Sequence, residues 1–171
     1  MINLREYIRE VQNFPKEGIS YKDITPLLQD PKAMEFAVDL FIQKLDNQHI
    51  DVVVGIESRG FFFAALLAQK LNAGFVPVRK KGKLPAETLE ENYDLEYGID
   101  ILEIHQDAIS KGQNVLVHDD VLATGGTARA ACNLVERLGG KVVQCNFLIE
   151  LGFLNGRNKI SGFPVESLIQ Y

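Results

Sequence analysis

Apolar positions along the chain change period several times, and each change marks an element. Leu4, Tyr7, Ile8 and Val11 recur at i, i+3, i+4 and i+7, which predicts a short amphipathic helix over residues 4–11. The stretch that follows, with Phe14-Pro15, Gly18 and Thr25-Pro26, has no such period and predicts a loop. Its length favours a functional one. Asp30 and Pro31 fit N-cap and N1 of a helix whose Met34, Ala37, Val38, Phe41 and Leu45 face inward. Asp51-Val-Val-Val-Gly-Ile56 predicts a strand buried on both faces, and Gly60 to Leu71 a helix. Phe75 to Val78 is the next strand, with Pro77 pointing to an edge or a strand end.

Beyond a polar, Lys-rich segment at 79–92, Tyr93, Leu95 and Tyr97 alternate with Asp94 and Glu96. With Ile99 to Ile104 they predict a hairpin. Asn114 to His118 is a strand, Thr127 to Leu138 a helix stopped by Gly139-Gly140, and Lys141 to Leu151 a further strand. The tail at 166–171 can add one more. Strands that alternate with helices imply an α/β fold: a twisted, mostly parallel sheet flanked by helices, with a ligand site at the carboxyl ends of the strands. With no repeat or composition break, residues 1–171 are expected to form a single domain.

Composition narrows the function. Eighteen Lys and Arg against 23 Asp and Glu give a net charge of −5, so no global basic field is available for nucleic acid or anionic lipid. A pocket for an anionic substrate must then gather its cations locally. The longest apolar run, Phe61 to Ala68, is far short of the ~20 residues that span a bilayer, and the N-terminus lacks a secretory stretch. A cytoplasmic location is expected, with no nucleic-acid or membrane partner. Cys132 and Cys145 fall inside apolar elements and read as inert buried thiols, and His49, His105 and His118 suggest no metal site.

The most informative run is Val115-Leu-Val-His-Asp-Asp-Val-Leu-Ala-Thr-Gly-Gly-Thr127, in which a strand delivers two carboxylates and a Gly-rich turn opens a helix. Thr124, Gly125, Gly126 and Thr127 combine hydroxyls with glycines that let backbone N–H groups converge, and the helix N-terminus favours an anion. Asp119 and Asp120 would repel a bare phosphate; sugar hydroxyls or a hydrated divalent cation suit them. Together these describe a sugar-phosphate site. No G-x-G triplet occurs, and Gly55-x-x-x-x-Gly60 is followed by Phe61, so dinucleotide and Walker A motifs are excluded. The cations Arg59, Arg79, Lys80, Lys81 and Lys83 supply the local cluster that the net charge demands.

This run resembles the recognition motif of the type I phosphoribosyltransferases. More narrowly, Phe14 to Pro26, Gly55 to Phe61, Val76 to Pro85 and Tyr93 to Gly98 are similar, in order, to the members of that family that act on adenine. The resemblance implies the phosphoribosyltransferase fold, with an N-terminal hood at about 1–30 and a mobile catalytic hairpin at about 79–104. It also implies transfer of a phosphoribosyl group from phosphoribosyl pyrophosphate to adenine, giving AMP and pyrophosphate, with Mg²⁺, in a homodimer. Ala123 to Thr127 with Asp119 and Asp120 would then hold ribose and its 5′-phosphate. Ser58, Arg59, Arg79, Lys80 and Lys83 would meet pyrophosphate, and Ser20, Tyr21 and Lys22 adenine. Glu96 would be the general acid/base and Tyr97 its gate. No protein ligand is assigned to Mg²⁺, which phosphoribosyl pyrophosphate and water would hold mainly, near Asp119 and Asp120. The sequence departs from the pattern at His118, where an aliphatic residue is usual, and at Ala64, where glycine is. The alternatives are transfer to another base, or a non-catalytic sensor of phosphoribosyl pyrophosphate.

Overall fold

The computed structural model describes residues 2–94 and 99–171. The chain falls into two compact units, Met1–Leu40 and Phe41–Tyr171.

In the first unit Asn3 caps a 3-10 turn, Leu4–Tyr7, by accepting from the Arg5 N–H. The expected helix over 4–11 ends there. Ile8 is already extended, and β1 (Arg9–Gln12) pairs antiparallel with β2 (Ser20–Asp23), setting Val11 opposite Tyr21. The ladder overrides a helical period that spans barely two turns. The expected loop is likewise not unstructured. It contains β2, which cross-strand bonds hold rather than an alternating apolar face, and α1 (Thr25–Gln29), which has proline in its first turn. α2 (Pro31–Lys44) begins as expected, with Asp30 Oδ1 accepting from the N–H groups of Lys32 and Ala33, both at 2.9 Å.

The second unit is built on one seven-stranded sheet in the order β5-β6-β4-β3-β7-β8-β9. Its strands are β3 (Val52–Ile56), β4 (Gly74–Lys80), β5 (Thr88–Asp94), β6 (Ile99–His105), β7 (Asn114–Leu122), β8 (Lys141–Glu150) and β9 (Val165–Gln170). The five from β4 to β9 run parallel to one another, and the hairpin β5–β6 is antiparallel. The mostly parallel α/β sheet is the one the sequence implies. Every residue of β3 is buried because helices cover both faces. Val52, Val54 and Ile56 point into a core shared with α4 (Gly126–Arg137). On the other face a Cβ at Gly55 would come within 2.8 Å of the Ala64 methyl on α3 (Gly60–Leu71), so Ala64 packs directly on the glycine backbone.

Two strand details differ from expectation. β4 is interior rather than an edge, yet β6 pairs with it only at Arg79 and Lys80, so at Pro77 its one neighbour is β3. That is where a missing N–H is tolerated. β7 runs past His118 to Leu122 and carries both aspartates within the strand. The hairpin is also fastened from α4, where Asn133 donates to Glu91 Oε1 and Arg137 to Glu91 Oε2, each at 2.7 Å. Cys132 and Cys145 are fully buried with their sulfurs 3.4 Å apart, and their hydrogen bond together with burial pushes the Cys145 thiol well up, which suits unreactive thiols.

Candidate active site

β3 sits between β4 on one side and β7 on the other, so chain order reverses direction there and the strand ends open a crevice. Three segments meet at those ends. The first is the turn Glu57-Ser58-Arg59 between β3 and α3. The second is the end of β4 with the turn after it, and the third is the run from Asp119 to Thr127.

The third segment is shaped by close backbone approaches. Gly60 opens α3 against β7 so tightly that a Cβ would lie 2.9 Å from Asp119 Oδ1 and 3.1 Å from the His118 carbonyl oxygen. Gly125 takes φ +82°, and a Cβ on it would collide with the Gly156 carbonyl oxygen; a Cβ on Gly156 would in turn collide with the Ala123 carbonyl oxygen. The turn 123–125 is therefore pressed main chain to main chain against the short 3-10 turn Gly156–Asn158. Among the described residues no side chain caps α4, which leaves its first N–H groups for an anion. A cavity of about 60 Å³ lies over the turn, lined by Asp119, Val121, Leu122, Ala123, Thr124, Gly125, Thr127 and Ala128. The expected phosphate cradle and the first of the paired acids thus share one hollow.

Asp120 is buried and Arg59 Nε stands 2.7 Å from its Oδ2, although among the described residues no hydrogen bond is aligned to that oxygen. Burial pushes the carboxyl of Asp120 up, against the pull of Arg59. Burial and the adjoining Asp120 charge push that of Asp119 further. Two desolvated neighbouring acids are costly as anions, and hydroxyl donors or a cation from a ligand would relieve them.

On the opposite side of β3, Glu57 collects the basic segment: Arg79 Nε at 3.2 Å, the Lys80 N–H at 3.1 Å, and Lys83 Nζ. Lys80 Nζ bonds Asp100 at 3.0 Å, and Lys81 bonds Glu90 at 2.8 Å. Tyr93 donates to the same Asp100 oxygen at 2.9 Å; burial first, then Asp100, raises its phenol to about 12, so it remains a donor. Ser58 is exposed at the turn.

The structure thus brings together Ser58 and Arg59, Arg79, Lys80 and Lys83, and Asp119 to Thr127. Ser20, Tyr21 and Lys22 stand on β2 of the first unit, where Tyr21 packs edge-on against Phe14 at 5.1 Å and buried Lys22 pairs with Glu10 at 3.1 Å. Glu96 and Tyr97 lie outside the described residues. Sequence reasoning missed Glu57, Gly156, Tyr93 and Asp100. Only Glu57 carried a signal, as an acid in the same turn as Arg59.

A crevice at a switch point, paired acids at a strand end and a glycine turn opening a helix give an α/β protein with a place for an anionic group beside two acids. A family model described as "Phosphoribosyl transferase domain" matches residues 26–159, and the chain belongs to that family. Within it, the chain is 66% identical over 170 residues to adenine phosphoribosyltransferase of Christiangramia forsetii, with 99% of each covered. A crystal structure of adenine phosphoribosyltransferase from Thermoanaerobacter pseudethanolicus matches with a TM-score of 0.96 at 52% identity, covering 98% of both chains. That of the Saccharomyces cerevisiae enzyme, complexed with an imino-altritol bisphosphate and adenine, matches at 0.92 and 44% identity, covering 96% of this chain and 95% of the other. The fold expected from the sequence is the one these proteins have.

Proposed function

We propose that this chain transfers the 5-phosphoribosyl group of phosphoribosyl pyrophosphate to N9 of adenine, forming AMP and pyrophosphate in purine salvage. The observation that carries the reading is the meeting of Asp119 with the turn at 123–127 over one hollow at the carboxyl end of β7, with Asp120 next to it in the strand and paired with Arg59. Backbone N–H groups of that turn bind the 5′-phosphate, and the two acids accept from the ribose hydroxyls. As the C1–pyrophosphate bond breaks, positive charge develops on the ribose and negative charge on the leaving group. Arg79, Lys80 and Lys83, with Ser58 and Arg59, face the second. Ser20, Tyr21 and Lys22 hold adenine, Tyr21 by stacking. Glu96 takes the proton that the imidazole ring loses as N9 bonds to C1, and Tyr97 closes over it.

Among the described residues no group of three or more His, Cys, Asp or Glu is placed to hold a metal. The oxygens of Asp119 and Asp120 suit a magnesium ion bound mainly by substrate and water. Such an ion would neutralise charge on the departing pyrophosphate. The reading includes a single domain with residues 1–30 as hood and 79–104 as catalytic hairpin, and a cytoplasmic homodimer. Among the described residues no helix is long and apolar enough to cross a membrane.

The test is direct. The protein is incubated with Mg²⁺, phosphoribosyl pyrophosphate and, separately, adenine, hypoxanthine, guanine and xanthine. AMP from adenine alone is expected. A nucleotide of another base in preference to AMP would overturn the base assignment, and no nucleotide from any base would overturn the reaction.

A further inference from the structure

Glu57 follows directly on β3, and only 8% of its side chain is exposed. Its two oxygens collect Arg79 Nε at 3.2 Å and Nη2 at 3.5 Å, the Lys80 N–H at 3.1 Å, and Lys83 Nζ. A carboxylate offers about four acceptor sites, so this one is filled. Its own N–H donates to the Val78 carbonyl at 2.9 Å, which ties the turn to β4. Burial alone would raise the Glu57 carboxyl, but the bonds from Lys83, Lys80 and Arg79 outweigh it and hold the group below its ordinary range. The anionic form is thereby favoured.

The neighbouring cations are held singly, Lys80 by Asp100 and Lys81 by Glu90. Among the described residues, Glu57 alone in this segment holds two. Without it Arg79 and Lys83 repel each other, and Lys83, beyond the Gly82 turn at φ +81°, has a long arm free to sample rotamers. With it, two cations share one focus and keep one unit of positive charge in surplus for an anionic ligand. The two differ in anchorage. Arg79 meets the carboxylate through two nitrogens and also donates to the Lys83 carbonyl at 3.1 Å, whereas Lys83 touches it only through Nζ and is 46% exposed.

We infer that Glu57 is a positioning residue that assembles Arg79 and Lys83 into a preformed pyrophosphate site, with Lys83 as the arm that passes from the carboxylate to a pyrophosphate oxygen. The inference rests on the transferase reading above for its ligand. It reaches substrate only through the two cations, and its benefit is that their ordering precedes binding.

The experiment compares Glu57→Gln and Glu57→Asp with the wild type. Calorimetry with pyrophosphate and with AMP is set beside steady-state kinetics in both substrates. Gln keeps the shape, removes the charge and turns an amide NH₂ toward donors. It should weaken pyrophosphate binding and raise KM for phosphoribosyl pyrophosphate by tenfold or more, with AMP binding and KM for adenine changed less than threefold. Asp, which restores the charge on a shorter stem, should recover part of that loss. Pyrophosphate binding unchanged in the Gln variant overturns the inference. So does an equal loss for pyrophosphate and AMP that Asp does not recover, since that is general damage. A wild-type protein that binds pyrophosphate but forms no nucleotide refutes the transferase reading instead, and the calorimetric comparison still decides the role of Glu57.

Discussion

His118 offers a quantitative check on how the polar interior of the sheet is held. The side chain is wholly buried between the rings of Phe41 and Phe63, with centroids at 5.2 and 6.2 Å. Nδ1 donates to Asn146 Oδ1 at 2.7 Å, and Nε2 has no partner among the described residues. Burial, against the support of Asn146, lowers the imidazole from 6.5 to about 4. The unfolded chain therefore takes up a proton near pH 6.5 that the folded one refuses until about pH 4, and stability falls as pH falls through that window. For those two values the loss between pH 7 and pH 5 is roughly 1.8 kcal/mol, a large share of the stability of a domain this size. The paired carboxyls work the other way. Asp119 and Asp120 are raised in the folded state, so acidification favours folding through them. Only a difference between variants isolates the histidine. Urea unfolding at pH 7, 6 and 5, at fixed protein concentration, should show the wild type losing about 1.8 kcal/mol more over the range than His118→Leu combined with Asn146→Leu. Parallel pH profiles for the two proteins would refute a neutral buried imidazole.

Other expectations follow from the site. Asp120→Asn should weaken phosphoribosyl pyrophosphate by about 1.5–3 kcal/mol, the worth of a hydrogen bond to a charged group, and leave adenine nearly untouched; equal losses in calorimetry would contradict the assignment. Gly125→Ala has to force a Cβ against the Gly156 carbonyl at positive φ, at a cost of about 1–3 kcal/mol, so AMP binding and melting temperature should fall together. A variant that binds AMP normally would show that the turn does not hold the phosphate. Glu96→Gln should lower kcat by roughly 10²- to 10⁴-fold with both KM values little changed, and normal turnover would remove it from the mechanism.

Elements whose own residues carry a clear pattern were the legible ones. The Gly60–Leu71 helix and the Asp30-Pro31 start of α2 have their causes within a few residues, and β3, though bonded to the distant β4 and β7, announces burial on both faces by its unbroken apolar run; all three stand where the pattern puts them. The N-terminal strands were not legible, because Arg9–Gln12 and Ser20–Asp23 hold each other through main-chain bonds that leave no period in either sequence. The same distinction divides the candidate site. Asp119 to Thr127 is contiguous and announces its chemistry. Glu57 gains meaning only from Arg79 and Lys83, and Gly156 only from the main chain at 123–125, partners that nothing in the sequence spacing ties together. His118 has no assigned role in the sequence, and its setting, with Nδ1 on Asn146 and the ring between Phe41 and Phe63, likewise comes from partners distant along the chain.

The seam between β4 and β6 consists of two residue pairs, Arg79 with Glu103 and Lys80 with Leu102. The side chains of Arg79 and Lys80 gather charge at one end of the crevice, while their peptide groups are the mooring from which the antiparallel ribbon hangs. A shift of the main chain at either residue therefore carries the ribbon and the crevice charges with it, because the same two peptides serve as rung and as charge mount.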